Sequence, residues 1–528
     1  MIPPTSLTQI GKMVAKNLTH GQTGELVRQI GHSLASAPGI TIDLIDLIAA
    51  ESRKKRPNVA LINAFVAIIG NVLETLRFRI ERNHVEAEQA VAVGREHLTV
   101  LIKAQALDPT TALLISGQFT RAKLDLGDDL PNELTDLLNQ AASPILPSEA
   151  ELNDRLAELA RPFKGDIFEF QAHLAEQTAS LPDDGRGGGV AALLGATDPM
   201  LRESAIGWLL DTGPKTRRDT VSLLMQSASN RRISEIMLRR LITIRNWLPE
   251  PERPGIDAVI RSCRQNGLDC GPAREAETRI CLASGIDGSG AQSFFVMVKE
   301  GRKQAIASLL IKHGVGVRDA WVRRRITKLE SEQFLFQVES QIECFNTTTE
   351  YVRRALSNAL AVSAATGTLP PFGLVDFIES TGLGTVNPGL VPFKTLLAEL
   401  LSDIPAARKT PAKIERVLRE TAQWEGDFSF FDSWFEDEGA LDVLLSKKRL
   451  SVRRQVDVVL TEFLPSRREH WGELLVWTAL MLRQDKANGN DWEEFVLVAN
   501  ELIGDRPVSE IPLMNLIAKT TVEAWRSF

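Results

Sequence analysis

Several short stretches carry residues whose types and spacing are those of known chemistry. Gly31-His32-Ser33-Leu34-Ala35 has the outline of a nucleophile elbow, in which a serine on a strand-to-helix turn is exposed for attack. The last position is alanine where close approach needs glycine, and the residues before Ser33 read as helix with no strands to build a platform. Gly187-Gly188-Gly189-Val190-Ala191-Ala192 fits the glycine pattern of a dinucleotide site, but Leu181-Pro182-Asp183-Asp184 ahead of it is not the strand that such a site requires. In Gly213-Pro214-Lys215-Thr216 the proline separates a glycine and lysine that must be adjacent in a phosphate loop. Cys263, Cys270, Cys281 and Cys344 match no zinc spacing, and Cys263 falls on an apolar helix face as a buried thiol would. The seven histidines form no His-x-x-x-His pair. No catalytic, metal-ligating or cofactor-binding residue is therefore expected, and no cofactor.

The basic residues are a different matter. Arg232 and Arg239 are seven apart, as if on one helix face, with Arg231 and Arg240 beside them. Arg318 and Arg325 repeat the spacing, accompanied by Arg323, Arg324, Trp321 and Lys328. Helices that turned these nine cations to one concave side would make a track for phosphates. The alternative is solvated helix flanks paired with nearby carboxylates.

The elements that must position them are read from periodicity. Over residues 196–267 four segments carry apolar residues at helical spacing, from Leu201 and Trp208 through Leu224, Met237 and Leu241 to Ile256 and Val259. Gly213-Pro214, Ser229-Asn230, Leu248-Pro249-Glu250-Pro251 and Gly267 separate or close them. Tyr351 is the only tyrosine, and alternating runs of β-branched and aromatic residues are scarce, which disfavours an extensive sheet. The expected fold is all-α: antiparallel helical hairpins, stacked as a solenoid or divided among helical domains.

With 528 residues the chain exceeds the reach of one hydrophobic core, and 44% hydrophobic against 24% charged residues is the balance of a folded globular protein rather than a disordered one. A net charge of −7 selects no partner, but its distribution is uneven: seven basic residues lie between Arg217 and Arg245, and seven acidic ones between Glu425 and Asp442. Sparse cysteines and the absence of a secretory pattern after Met1 point to a cytoplasmic protein. Val59 to Ile69 is the most apolar run, about half the ~20 residues of a membrane span, and reads as part of a buried helix.

Along the chain, an N-terminal helical domain spans 1–180, with Ser6 as a candidate cap after Pro3-Pro4. Pro38-Gly39 and Pro57 break it early, Asp108-Pro109 and Leu130-Pro131 start later helices, and Ser143-Pro144 to Pro147-Ser148 ends a group. Glycine-rich 181–189 reads as a linker, because three successive glycines favour neither helix nor strand. A central helical-repeat region covers 190–366, including a long helical stretch from Arg318 to Ala365 interrupted near Asn346 to Thr349. Proline and glycine crowd 367–411, a connection, and 412–528 returns to helices with Trp424, Trp434, Trp471, Trp477, Trp492 and Trp525 as core or interface anchors.

Asp198-Pro199, Leu201-Arg202, Ala205 and Leu209 resemble the first helix of a HEAT repeat. Val352-Arg353-Leu356-Ala359-Leu360 and Val452-Arg453-Val456-Val459-Leu460 are similar, with larger residues at the small position and no preceding Asp-Pro. The resemblance covers three short segments and implies a curved stack of helical hairpins that binds rather than catalyses. The functional expectation is a non-enzymatic scaffold or adaptor holding a protein partner, with no membrane insertion. Its rival is a helical-repeat protein that binds nucleic acid or another polyanion through the arginine-rich centre.

Overall fold

A computed structural model describes residues 4–18, 24–141, 149–271, 276–446, 450–485, 487, 489 and 491–527. By internal contacts the chain divides into two units, one of residues 1–166, 170–201 and 438–440, the other of 167–169, 202–437 and 441–528.

The first unit is built around helix Val59–Ile80, started by Asn58, whose side chain accepts a hydrogen bond from Leu61 N–H. Leu61, Phe65, Ile69, Val72 and Leu76 are buried, and helices Pro4–Leu18, Gly24–Leu34, Ile40–Ser52, Val85–Lys103 and Pro109–Arg121 pack around it. Gly31 allows one of these crossings, since a Cβ there would lie 2.4 Å from Asn71 Cβ. By length and composition Val59–Ile80 is long enough to cross a membrane; in this structure it is the core of a helical unit. Ser6 lies inside the first helix rather than capping it, and Ser143-Pro144 to Pro147-Ser148 falls outside the described residues. Gly187–Gly189, read as linker, form the first turn of helix Gly187–Gly195 after turns at 183–186.

In the second unit the segments expected over 196–267 include helices Pro214–Ser229, Glu235–Arg245 and Arg253–Gln265, and Gly267 leaves the last at φ 80°. The chain then departs from the all-α expectation. Residues 277–346 contain a five-stranded antiparallel sheet: β1 (Glu277–Ser284), β2 (Ala291–Glu300), β3 (Lys303–Lys312), β4 (Gly316–Ile326) and β5 (Cys344–Asn346), in the order β4-β3-β2-β1-β5. The protein is a mixed α and β structure, mostly helical, and neither a solenoid of hairpins nor all-α. The stretch expected as helix from Arg318 begins as β4, and helix resumes only at Lys328–Glu339 and Thr349–Ala365.

The register gives the sheet two unlike faces. Leu309↔Phe294, Ala307↔Val296 and Ala283↔Phe294 pair across three strands, so these side chains share one face. They are buried, with helices Thr349–Ala365 and Gly373–Thr381 against β3 and β4. Leu282, Phe295 and Met297 occupy the other face and meet the single helix Lys328–Glu339 through Leu335, Phe334 and Val338.

The C-terminal helices Arg468–Leu482 and Asp491–Ile503 pack on each other, and Trp424, Trp434, Trp471, Trp477 and Trp492 are buried. Trp424 stacks on Phe495 at 4.2 Å, and Trp434 Nε1 donates to the Ile286 carbonyl in the β1–β2 turn. Gly288 in that turn is a steric requirement, because a Cβ would sit 2.2 Å from the Ser433 carbonyl oxygen.

Two histidines close this region. His313 packs at 5.1 Å on Trp477 with Nε2 3.3 Å from Gln292 Oε1, and His470 Nε2 lies 3.2 Å from the Gly288 carbonyl. Burial, with a smaller contribution from His470, pushes His313 down to about 3. Burial, then Arg467, lowers His470 to about 4. Both stay neutral when folded, whereas the unfolded chain protonates them below about 6.5, so stability falls as pH drops from that value. Half-buried Glu473 and Glu494, whose carboxyls desolvation pushes up, act in the opposite sense. Between pH 7.5 and 5 the wild type should lose about 2 kcal/mol more per histidine than His313→Gln/His470→Gln in denaturant titrations. Equal pH dependence of the two proteins would contradict the assignment.

Candidate interaction surface

Helix Lys328–Glu339 starts with a reciprocal cap. Thr327 Oγ1 accepts from Glu330 N–H at 3.2 Å, and Thr327 N–H donates to Glu330 Oε2 at 2.6 Å. The cap holds Glu330 below the usual carboxylate range through the Thr327 backbone and hydroxyl, with Arg323 and Lys303 adding less. It also fixes the rotation of the helix. Ser331 and Leu335 face the sheet, Ser331 Oγ donating to Gln304, and Phe334 and Val338 are half-buried beside them.

The opposite side is mixed, with two large apolar side chains set among exposed Glu332, Gln333 and Glu339. Leu329 and Phe336, two turns apart, are 63% and 75% exposed. At the margin Trp321 of β4 stands edge-on to Phe334, ring centres 5.9 Å apart, and is 37% exposed. A short helix that buries one apolar side on a sheet and turns two large apolar side chains to solvent is the shape of a contact surface.

The nine arginine and lysine positions singled out in the sequence do not form one track. Arg231 is exposed at φ 54° on the approach to helix Glu235–Arg245, and Arg232, also exposed, donates its N–H to the Ser227 carbonyl. Arg239 turns inward and donates from Nη2 to the Cys270 carbonyl at 2.6 Å. Arg240 is buried, stacked 4.9 Å from the Phe168 ring, with Nε and Nη2 on Glu379 at 3.0 Å each and Nη1 on Glu203 at 3.2 Å. Arg324 bonds Asp376 from both terminal nitrogens, one at 2.7 Å, and Ser380 at 2.6 Å. Arg318 is half-buried on β4. Arg323, Arg325 and Lys328 are exposed, Lys328 lying 3.5 Å from Glu332.

These placements follow from strand geometry. Period-two alternation puts Arg324 on the side opposite Arg323, so neighbours in sequence serve different surfaces. Between Ile306↔Arg323 and Gln304↔Ile326 the register gains a residue, a bulge, and Arg325 there takes φ 57°.

The remaining sequence candidates sit in ordinary surroundings. Ser33 lies within helix Gly24–Leu34, and Lys215 pairs with Asp219 at 2.9 Å. Burial pushes the Cys281 and Cys344 thiols up to about 12 and about 11, which keeps them protonated. A recess of about 130 Å³ lined by Arg231, Ile233, Cys263, Asn266 and Leu268 is smaller than the ~300 Å³ at which small-molecule sites begin. A second, of about 350 Å³, is lined by Leu152, Gly188, Ala191, Ala192 and Gly195 and offers Asn153 as its polar side chain.

The chain is similar to the uncharacterized protein y4lR of Sinorhizobium fredii. The two are 27% identical over 495 residues, covering 92% of each. Family models of the Y4lR second domain and of the Y4lR C-terminal helical domain match residues 182–267 and 394–526. The sheet and the Lys328–Glu339 helix lie between the two matched segments. No solved structure matches the chain.

Sequence reading named Trp321 only beside the arginines and missed Leu329 and Phe336. The signals were present: Thr327-Lys328-Leu329-Glu330 is a capping-box pattern, and Gly301 and Gly314 punctuate strands of ten and eleven residues. Arg325 provides a direct test of the bulge. Glycine takes its left-handed conformation without the steric cost that a Cβ imposes, so Arg325→Gly should raise stability by about 1 kcal/mol in denaturant unfolding. A destabilised Arg325→Gly protein would mean that the arginine side chain holds the bulge together.

Proposed function

We propose that this chain is a binding protein that holds a protein partner on the outer side of helix Lys328–Glu339 and the adjoining margin of β4. The observation that carries the reading is the exposure of Leu329 and Phe336 on a helix whose other side is fully used. Covering those two side chains would contribute about 2 kcal/mol each, enough to make them the anchors of an interface. Trp321 supplies a third, with aromatic area and an indole N–H at the rim. The two recesses support binding of a small molecule less well, one being too small and the other walled by glycine, alanine and leucine.

The test compares tagged wild type with Leu329→Ser/Phe336→Ser in pull-downs from native lysate. A stoichiometric companion should be recovered by the wild type and lost from the double variant, while the unfolding free energy changes by no more than is ordinary for surface substitutions, about 0.5 kcal/mol. A companion retained by the double variant would place the interface elsewhere.

A further inference from the structure

Resting on that reading, we propose that the partner element seated on this surface is an acidic amphipathic segment, apolar residues on Leu329 and Phe336 and carboxylates on Arg323, Arg325 and Lys303. Arg323 and Arg325 are exposed at the bulged end of β4, and Lys303 is exposed at the start of β3, whose next residue, Gln304, pairs with Ile326. Three cations therefore meet at one corner of the sheet beside the first turn of the helix. Glu330, the helix carboxylate nearest Arg323 and Lys303, is engaged by the Thr327 N–H and hydroxyl and serves the cap, and Glu332 is paired with Lys328 at 3.5 Å. A partner that presents only apolar groups would leave this corner desolvated without compensation, whereas carboxylates would meet it with charge-assisted hydrogen bonds.

The bulge adds an independent reason. Among the described residues Arg325 is one of six non-glycine residues with positive φ, and its neighbour Arg324 is turned the other way, into Asp376. Alternation alone divides Arg323 from Arg324, and the extra residue of the bulge keeps Arg325 exposed beyond them. A glycine would satisfy the backbone at this position. An arginine there puts a cation on the outer side.

A single-stranded nucleic acid fits less well. Stacking platforms present aromatic faces to successive bases, and here Trp321 stands edge-on to Phe334, while Leu329 beside Phe336 is aliphatic.

The test uses the full chain as bait for a random 16-residue peptide library, counter-selected on Arg323→Glu/Arg325→Glu. Enriched peptides should carry net negative charge with apolar residues at helical spacing. A representative peptide should bind at least tenfold more weakly to the charge-reversed protein and to Phe336→Ser, with added salt weakening the wild-type complex. Thermal unfolding of each variant serves as the folding control. Enrichment of neutral or basic peptides, no enrichment over the charge-reversed protein, or preferential binding of a 20-nucleotide single strand would overturn the proposal. Loss of the native companion in Leu329→Ser/Phe336→Ser together with its full retention in Arg323→Glu/Arg325→Glu would leave the interaction surface standing and remove only its acidic partner.

Discussion

Two carboxylates on one short helix organise the second unit. Helix Gly373–Thr381 carries Asp376 and Glu379 three residues apart, and each is claimed by an arginine from a different part of the unit. Arg324 comes from the edge strand of the sheet, and Arg240 from the helical block of 202–267. Asp376 and Arg240 are buried, so neither charge can be left without its partner except at a cost of about 3 kcal/mol or more. The pairs add little net stability over an apolar packing of the same volume; what they fix is which surfaces meet. Gly373 tightens the same joint, since a Cβ there would fall 2.0 Å from the Ala320 carbonyl oxygen of β4.

The Gly373–Thr381 and Thr349–Ala365 helices take one face of the sheet, and among the described residues the twelve of Lys328–Glu339 pack on the other. That helix covers Leu282, Phe295 and Met297 and leaves Trp321 part exposed. Among the described residues Leu329 and Phe336 on its outer side stay exposed. The open surface is thus a consequence of how the interior is closed, and β4 links the two through alternation: Arg324 is spent inward on Asp376, and Arg323 and Arg325 stand outside.

The helices were legible where caps and breakers agreed with apolar spacing. Val59 to Ile80 and the segments between Gly213 and Gly267 are examples, down to Pro214, Ser229 and the glycine after the last helix. The sheet was not, for reasons that its residues make plain. β2 and β3 are buried on both faces, so Phe294-Phe295-Val296-Met297-Val298 and Ala305-Ile306-Ala307 read as continuous apolar runs without a period. β4 was misread because Arg318 and Arg325, seven apart, imitate a helical repeat, while the strand's own alternation is interrupted by its bulge. The scarcity of tyrosine and of alternating runs misled for a related reason: Val296, Val298, Ile306 and Ile311 stand among Ala, Leu, Met and Phe instead of alternating with polar residues, as strands buried on both faces do. The arginines were recognised as a group, but their division into buried ties and exposed cations depends on tertiary partners, Glu203, Asp376 and Glu379, that no local pattern reveals.

The Gly373–Thr381 helix joins the helical block to the sheet, and hydrogen exchange measured by mass spectrometry on Asp376→Asn/Glu379→Gln tests that joint most directly. With both carboxylates neutralised, backbone protection should fall together in Glu235–Arg245 and in β4, while helix Val59–Ile80 of the first unit exchanges as in the wild type. Unchanged protection in β4 and Glu235–Arg245, or a loss confined to residues 373–381, would contradict it.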